Sequence, residues 1–248
     1  MRAIILAAGS STRLGELTKT LPKGLLNING KMILDRQIEL YRKNGINDIV
    51  IVTGPHADKF YFKDVTFVPD KNYKEHDVLG SLMAARGFMN TEFIMSYSDI
   101  LFDDSILKQM LNFKGLIGIS VDMNWKHSYE NRTEHPVTEA DNVLINNGKI
   151  VLTKKYISNS DGPGEIGEFT PMLRVSSEGA DIFVKTYEKL EKTHDGKFHE
   201  MPSLKKAVLT DMLQELIDSG ITVTPIIING NWCEIDTPQD LERARKNY

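Results

Sequence analysis

Cysteine is nearly absent from these 248 residues: Cys233 stands alone, so no internal disulfide can form, as suits a reducing compartment. Long apolar runs are missing too. The opening Met-Arg-Ala-Ile-Ile-Leu-Ala-Ala-Gly is too short for the core of a signal peptide, and nothing approaches the ~18 apolar residues of a membrane span. There is no surplus of positive charge. Lys plus Arg number 30 against 34 Asp plus Glu, a formal charge of −4, which argues against a binder of nucleic-acid backbones. No repeat, low-complexity tract or compositional break marks a second domain. What is present is an ordinary globular balance, 41% hydrophobic and 26% charged, which excludes a disordered or fibrous chain. At this length one α/β core is close to its maximum size. The expectation is a single cytoplasmic domain, residues 1–248, with neither a membrane nor a nucleic-acid partner.

The first half alternates strand and helix patterns. Ala3–Ala7 is a continuous apolar run, as expected of a strand buried on both faces of a parallel sheet. Residues 31–44 carry Ile33, Leu34, Ile38 and Tyr41 at helical spacing before Gly45. Strands follow at Asp48–Thr53, Val65–Val68, Glu92–Tyr97 and Leu116–Val121, with helices at 77–88 and 104–111. Such alternation needs crossover connections, hence an α/β fold with a doubly wound, mostly parallel, Rossmann-like sheet. The pattern breaks at residues 122–142. Asn147-Gly148 then predicts a type I′ hairpin between Val143–Asn146 and Lys149–Leu152, and residues 158–168, with Gly162, Pro163, Gly164 and Gly167, predict a loop. Helices at 177–192 and 203–219, strands at Thr222–Ile228 and Asn231–Ile235, and a last helix at 238–246 complete the chain. The core is therefore expected at about 1–121 and 170–248, with a β-rich insertion or lid at about 122–169.

The strongest chemical signal is Leu6-Ala7-Ala8-Gly9-Ser10-Ser11-Thr12-Arg13-Leu14-Gly15, followed by Leu21-Pro22-Lys23. A buried strand runs into a loop of small residues, whose main-chain N–H groups can approach phosphate oxygens, and Arg13 and Lys23 can neutralise them. The stretch lacks the Gly-Lys-Ser/Thr of a P-loop, and Ser11 stands where a dinucleotide fingerprint has its second glycine. It resembles the signature of the nucleotidyltransferases that make nucleoside-diphosphate sugars, cholines and phosphonates, the nucleotide-diphospho-sugar transferase superfamily. The likeness continues through Gly30-Lys31-Met32-Ile33, with Met32 in place of the usual Pro, and Asn44-Gly45-Ile46.

The resemblance implies a set of roles. Leu6, Ala7, Ala8, Gly9, Ser10 and Ser11 would line the nucleotide, Arg13 would hold the β- and γ-phosphates that leave as pyrophosphate, and Lys23 would sit at the α-phosphate. Asp99, in Met95-Ser96-Tyr97-Ser98-Asp99, follows a predicted central strand at the end where open α/β sheets bind ligands, and reads as a Mg²⁺ ligand. Asp103 and Asp104 suit helix capping instead. Trp232-Cys233-Glu234-Ile235-Asp236-Thr237-Pro238-Gln239-Asp240 is similar to the family's late acidic element. It implies Asp236 as the second ligand, with Thr237 and Asp240 forming a capping box. In His76-Asp77-Val78-Leu79-Gly80-Ser81, the likeness assigns Gly80 and Ser81 to base and ribose.

The middle segment must choose the acceptor. Residues 125–140, Trp-Lys-His-Ser-Tyr-Glu-Asn-Arg-Thr-Glu-His-Pro-Val-Thr-Glu-Ala, with Glu165-Ile-Gly-Glu-Phe169, resemble cytidylyltransferases of phosphonate and phosphocholine metabolism. Aromatic and acidic side chains suit a small cationic head group. Arg132, His135, Lys154 and Glu168 are the candidate acceptor-binding residues. The implied reaction couples CTP to a 2-aminoethylphosphonate- or phosphocholine-like acceptor, with Mg²⁺ as cofactor and pyrophosphate released. A sugar-1-phosphate nucleotidyltransferase using UTP, dTTP or GTP remains open, as do a catalytically inactive regulatory homologue and a homodimer.

Overall fold

The computed structural model describes residues 1–9 and 12–248. Its first strand, β1 (Arg2–Ala7), explains its own uniform hydrophobicity. Ile4 and Leu6 join one hydrophobic cluster, while Ala3, Ile5 and Ala7 join the cluster on the opposite face, so the strand is buried on both sides. A short ribbon follows, β2 (Asn27–Ile28) and β3 (Lys31–Met32), then α1 (Ile33–Lys43), β4 (Asp48–Thr53), β5 (Thr66–Pro69) and α2 (Val78–Ala84). Next come β6 (Phe93–Tyr97), β7 (Ile100–Phe102), α3 (Asp104–Asn112) and β8 (Ile117–Asp122). Strand β1 pairs in parallel with β4 on one side and β6 on the other. Connections leaving β1 on opposite sides open a crevice at its carboxyl end, which is where doubly wound sheets hold ligands.

The remaining elements are β9 (Asp141–Asn146), β10 (Lys149–Lys155), β11 (Glu165–Val175), α4 (Ser177–Thr193), α5 (Leu209–Asp218), β12 (Val223–Ile227), β13 (Trp232–Glu234) and α6 (Pro238–Asn247). Asn147 (φ 50°) and Gly148 (φ 73°) form the expected hairpin turn between β9 and β10. The main sheet has nine strands, ordered β10-β9-β11-β6-β1-β4-β5, with β8 on β11 and β12 on β8. It is mixed, with parallel strands at its heart.

The largest departure from expectation is β11. Its first residues fall in the segment 158–168, predicted as a loop, yet it runs to 11 residues and is hydrogen-bonded to β6, β8 and β9. Pro171 and Gly167 hide it in sequence, since each is a turn signal. The ladder accommodates the proline where its register with β8 shifts, between Phe169 and Leu173. The strand also crosses the expected insertion boundary at residue 169, so one continuous sheet carries both core and insertion. Helix α2 is shorter than the predicted 77–88, ending at Ala84 before a separate turn at Arg86–Phe88. Asp103 occupies the start of α3 without capping it; its Oδ2 accepts the N–H of Asn231 instead. Among the described residues no helix is long and apolar enough to cross a membrane.

Candidate active site

The turn Pro22-Lys23-Gly24 delivers a lysine to the crevice. A Cβ on Gly24 would lie 2.9 Å from Leu34 and 3.0 Å from Cβ of Ser98. Only glycine lets this turn press against the segment that carries Asp99. Leu25 and Leu26 N–H groups close it on the carbonyls of Pro22 and Lys23, both at 2.9 Å. Beyond β6, the Ser98 N–H donates to the Leu6 carbonyl (3.0 Å), which ties the Asp99 turn to the end of β1.

Asp236 arrives from the far end of the chain by a pairing that the sequence does not announce. Strand β13 lies antiparallel to β7, with Glu234 opposite Ile100, and the Ile235 N–H donates to the Asp99 carbonyl at 3.0 Å. Thr237 then caps α6 in a reciprocal box with Asp240, as its sequence predicts. Leu14, Leu26, Ile33, Leu101, Ile235 and Leu241 share one small cluster beneath, so the early loop and the late acidic element rest on the same apolar floor.

Four charged side chains meet here. Lys23 Nζ donates to Asp99 Oδ2 at 3.0 Å and to Asp236 Oδ1, while Arg13 Nη2 lies 3.1 Å from Asp236 Oδ2. His135 Nδ1 lies 3.2 Å from that same oxygen. Burial opposes the charge on Lys23, yet the carboxylates of Asp99 and Asp236 outweigh it and hold the ammonium well above the ordinary lysine range. Burial would likewise raise the Asp236 carboxyl, but His135, Lys23 and Arg13 hold it well below the ordinary aspartate value. Glu234 goes the other way: burial, then Asp236 and Asp99, push it well above its usual range.

Arg13, Lys23, Asp99, Glu234 and Asp236 line a cleft of about 380 Å³, together with Leu6, Ala7, Ala8, Gly9, Tyr73, His76, Ser81 and Tyr97. Ser81 donates to Asp70 (2.8 Å), which also meets His76 Nε2 at 3.1 Å. Gly80 is buried behind this group, its Cα facing the His76 ring. Ser10 and Ser11 lie outside the described residues. Asp99 Oδ1 is buried with no hydrogen-bond partner among the described residues. Two hard carboxylates with a bare oxygen fit a divalent magnesium ion. His135, Glu234 and Asp236 also bring ligand atoms within 4.8 Å of one another.

The four candidate acceptor residues separate. His135 is buried against Asp236 and edge-on to Tyr129 (ring centroids 6.0 Å apart). Glu168 is buried one step further, accepting the Tyr129 hydroxyl on Oε1, with Oε2 unpartnered among the described residues. Burial pushes its carboxyl up to about 8. Arg132 is already engaged: its guanidinium makes two hydrogen bonds to Asp240, at 2.7 and 2.9 Å, and lies over the Tyr129 ring. Lys154 pairs with Asp161 at 2.5 Å on β10, away from the cleft lining. The lysine and arginine that line the cleft are Lys23 and Arg13. Because Arg132 and Asp240 are both almost fully buried, Arg132→Met is expected to cost about 3–5 kcal/mol by leaving a carboxylate unpaired. Urea unfolding reads this; an altered acceptor KM with unchanged stability would return Arg132 to acceptor binding.

Asp141 and Asp70 carried no sequence signal. Asp141 begins β9, its Oδ1 buried and without a hydrogen-bond partner among the described residues, and its carboxyl raised by burial. Asp70 follows β5 in an unremarkable Asp-Lys-Asn-Tyr stretch, and only the tertiary fold brings it beneath His76 and Ser81.

Residues 3–115 match the family described as the MobA-like NTP transferase domain. Over 256 aligned positions the chain is 30% identical to a CTP:phosphoglutamine cytidylyltransferase of Campylobacter jejuni, covering 98% of each. It is 35% identical over 106 residues to a choline-phosphate cytidylyltransferase of Streptococcus pneumoniae, covering 41% of this chain and 46% of that protein. Among solved structures, a CTP:phosphocholine cytidylyltransferase from Streptococcus pneumoniae superposes with a TM-score of 0.75 at 21% identity, over 99% of this chain and 98% of that one.

Proposed function

The chain belongs to the MobA-like nucleotidyltransferases, within the nucleotide-diphospho-sugar transferase superfamily, and from that membership we propose that it couples CTP to a small ammonium-bearing phosphate ester or phosphonate, releasing pyrophosphate. The observation that carries this reading is the convergence of Lys23, Arg13, Asp99 and Asp236 beside the Ala8-Gly9 loop. An acceptor phosphate oxygen attacks the α-phosphorus in line, and the bond to the bridging oxygen of pyrophosphate breaks. The acceptor is already ionised, so no general base is required. Lys23 meets the charge that develops on the equatorial oxygens, and Arg13 holds the departing phosphates. Asp99 and Asp236 would hold magnesium, which when bound offsets charge on the triphosphate.

Buried carboxyl oxygens left without donors, rather than fixed negative charge, favour an ammonium on the acceptor, since burial holds these carboxyls toward the neutral form. Among the described residues Glu168 and Asp141 each keep an unpartnered buried oxygen, and burial raises the Glu234 carboxyl well above its usual range. Trp125 and Tyr129 pack at 5.8 Å beside Glu168, with the Arg132 guanidinium already over the Tyr129 ring, so the carboxyl oxygens rather than the ring faces are what an ammonium would meet. The C. jejuni relative's acceptor, phosphoglutamine by name, has the amino-acid ammonium that this chemistry would accept. A pyrophosphate-release screen decides the matter: CTP, UTP, dTTP and GTP crossed with phosphocholine, 2-aminoethylphosphonate, phosphoglutamine and glucose 1-phosphate. Turnover confined to CTP with ammonium-bearing acceptors is expected; preference for glucose 1-phosphate would favour the sugar-nucleotide alternative.

Glu168 gives this reading a pH signature. Its carboxyl rises from 4.5 to about 8 on folding, so the folded protein binds the extra proton, and stability from this group falls as pH climbs through that window. Glu168→Gln removes the titration. The melting temperature of the variant relative to wild type is expected to rise from pH 5 to pH 8, while its acceptor KM increases. A pH-independent difference in melting temperature would show that Glu168 is ionised throughout.

A further inference from the structure

We propose that Lys23 is the resident counter-ion of the Asp99–Asp236 pair, so that a divalent cation can settle between the two carboxylates only when a triphosphate takes the lysine away. This rests on the reading of Asp99 and Asp236 as metal ligands.

The Lys23 ammonium lies between the carboxylates, at 3.0 Å from Asp99 Oδ2 and in contact with Asp236 Oδ1. Arg13 holds the second Asp236 oxygen at 3.1 Å. Of the four carboxylate oxygens, only Asp99 Oδ1 is without a hydrogen-bond partner among the described residues. A magnesium ion held by both aspartates would need their oxygens as ligands, and the ammonium occupies that ground. The side chains of Lys23 and Asp236 are 10% and 4% exposed, so solvent screens little of the repulsion between two neighbouring cations.

Formal charge leads to the same order of events. Asp99, Asp236 and Glu139 face Lys23 and Arg13, so an unaccompanied divalent ion turns the site from net negative to net positive. A triphosphate reverses the balance and offers Lys23 a new anion in the same cleft. The lysine backbone need not move, because Gly24 is wedged against Leu34 and Ser98; the four-carbon stem pivots alone. Lys23 thus neutralises the two acids until a triphosphate arrives and neutralises phosphate thereafter, and binding runs nucleotide first or nucleotide with metal.

The test is Mn²⁺ binding to the full chain, followed by electron paramagnetic resonance, without nucleotide and with a CTP analogue carrying a methylene bridge between the α- and β-phosphorus atoms. Free Mn²⁺ is expected to bind wild type weakly and to bind Lys23→Met about tenfold or more tighter; Lys23→Gln, which retains a polar donor for the aspartates, is expected to move the same way. The double variant Lys23→Met/Asp99→Asn is expected to lose the gain. Wild type that saturates 1:1 with free Mn²⁺ at micromolar concentration, or Lys23 variants no tighter than wild type, would overturn the counter-ion role. If Asp99→Asn left both the gained site and Mn²⁺ binding with the analogue intact, the metal-ligand reading itself would fail.

Discussion

Lys23→Ala is expected to lower kcat by about 10²–10³-fold while KM for CTP moves only a few-fold. The reason lies in what the lysine leaves behind. In the free enzyme its ammonium is satisfied by Asp99 and Asp236, so pairing with a ground-state α-phosphate exchanges one anionic partner for another. Little net binding energy results. In the transition state, charge at the phosphorus oxygens grows, and a fixed cation is worth more there than against the carboxylates. Steady-state pyrophosphate release resolves the two parameters. A rise in KM with kcat unchanged would mean that Lys23 grips substrate and transition state equally, and its place at the α-phosphate would have to be surrendered.

The elements that the sequence discloses are those whose cause is local. Strand β1 reads as buried because both its faces are apolar, and α6 reads as capped because Thr237 and Asp240 are three residues apart. Lys23 is conspicuous because Pro22 precedes it, after the small-residue loop and Arg13. Where the cause is long-range, the sequence is mute. Nothing near Glu234 indicates that β13 will pair with β7, although the resemblance to a family element allowed Asp99 and Asp236 to be placed together. Arg132 and Lys154 read as acceptor binders because a dianionic acceptor needs positive charge, but Arg132 is committed to Asp240, 108 positions away, and Lys154 to Asp161 in the next turn of chain. Strand β11 carries Gly167 and Pro171, which mean a turn in isolation and a tolerated bulge inside a sheet. The burial that raises Glu168 exists only once that strand is flanked on both sides.

Asp236→Asn is expected to cut turnover by about 10³-fold or more, the scale of losing a preorganised charge contact in the transition state, and to do so without unfolding the chain. Asp236 is 3% exposed and touched by Lys23, Arg13 and His135, so the substitution removes the anion that three neighbours share. Asparagine keeps the shape and an oxygen acceptor, while Asp99 still pairs with Lys23 and Arg13 retains Glu139 at 3.2 Å. The stability cost is therefore expected to be about 1–3 kcal/mol at pH 7, below the 3–5 kcal/mol of a buried cation left alone. The pH dependence has a definite sign. Asp236 is held below its ordinary value of 3.8 in the folded chain, so its contribution is present above that pH and fades as acid protonates it. Urea unfolding should show wild type and variant far apart at neutral pH and converging below pH 3.8. A collapse of the melting temperature at pH 7, with residual activity tracking the folded fraction, would make Asp236 a structural anion. An intact fold with lost turnover, and Mn²⁺ affinity in the presence of the nucleotide analogue reduced to that of Asp99→Asn, would identify the two aspartates as one functional pair.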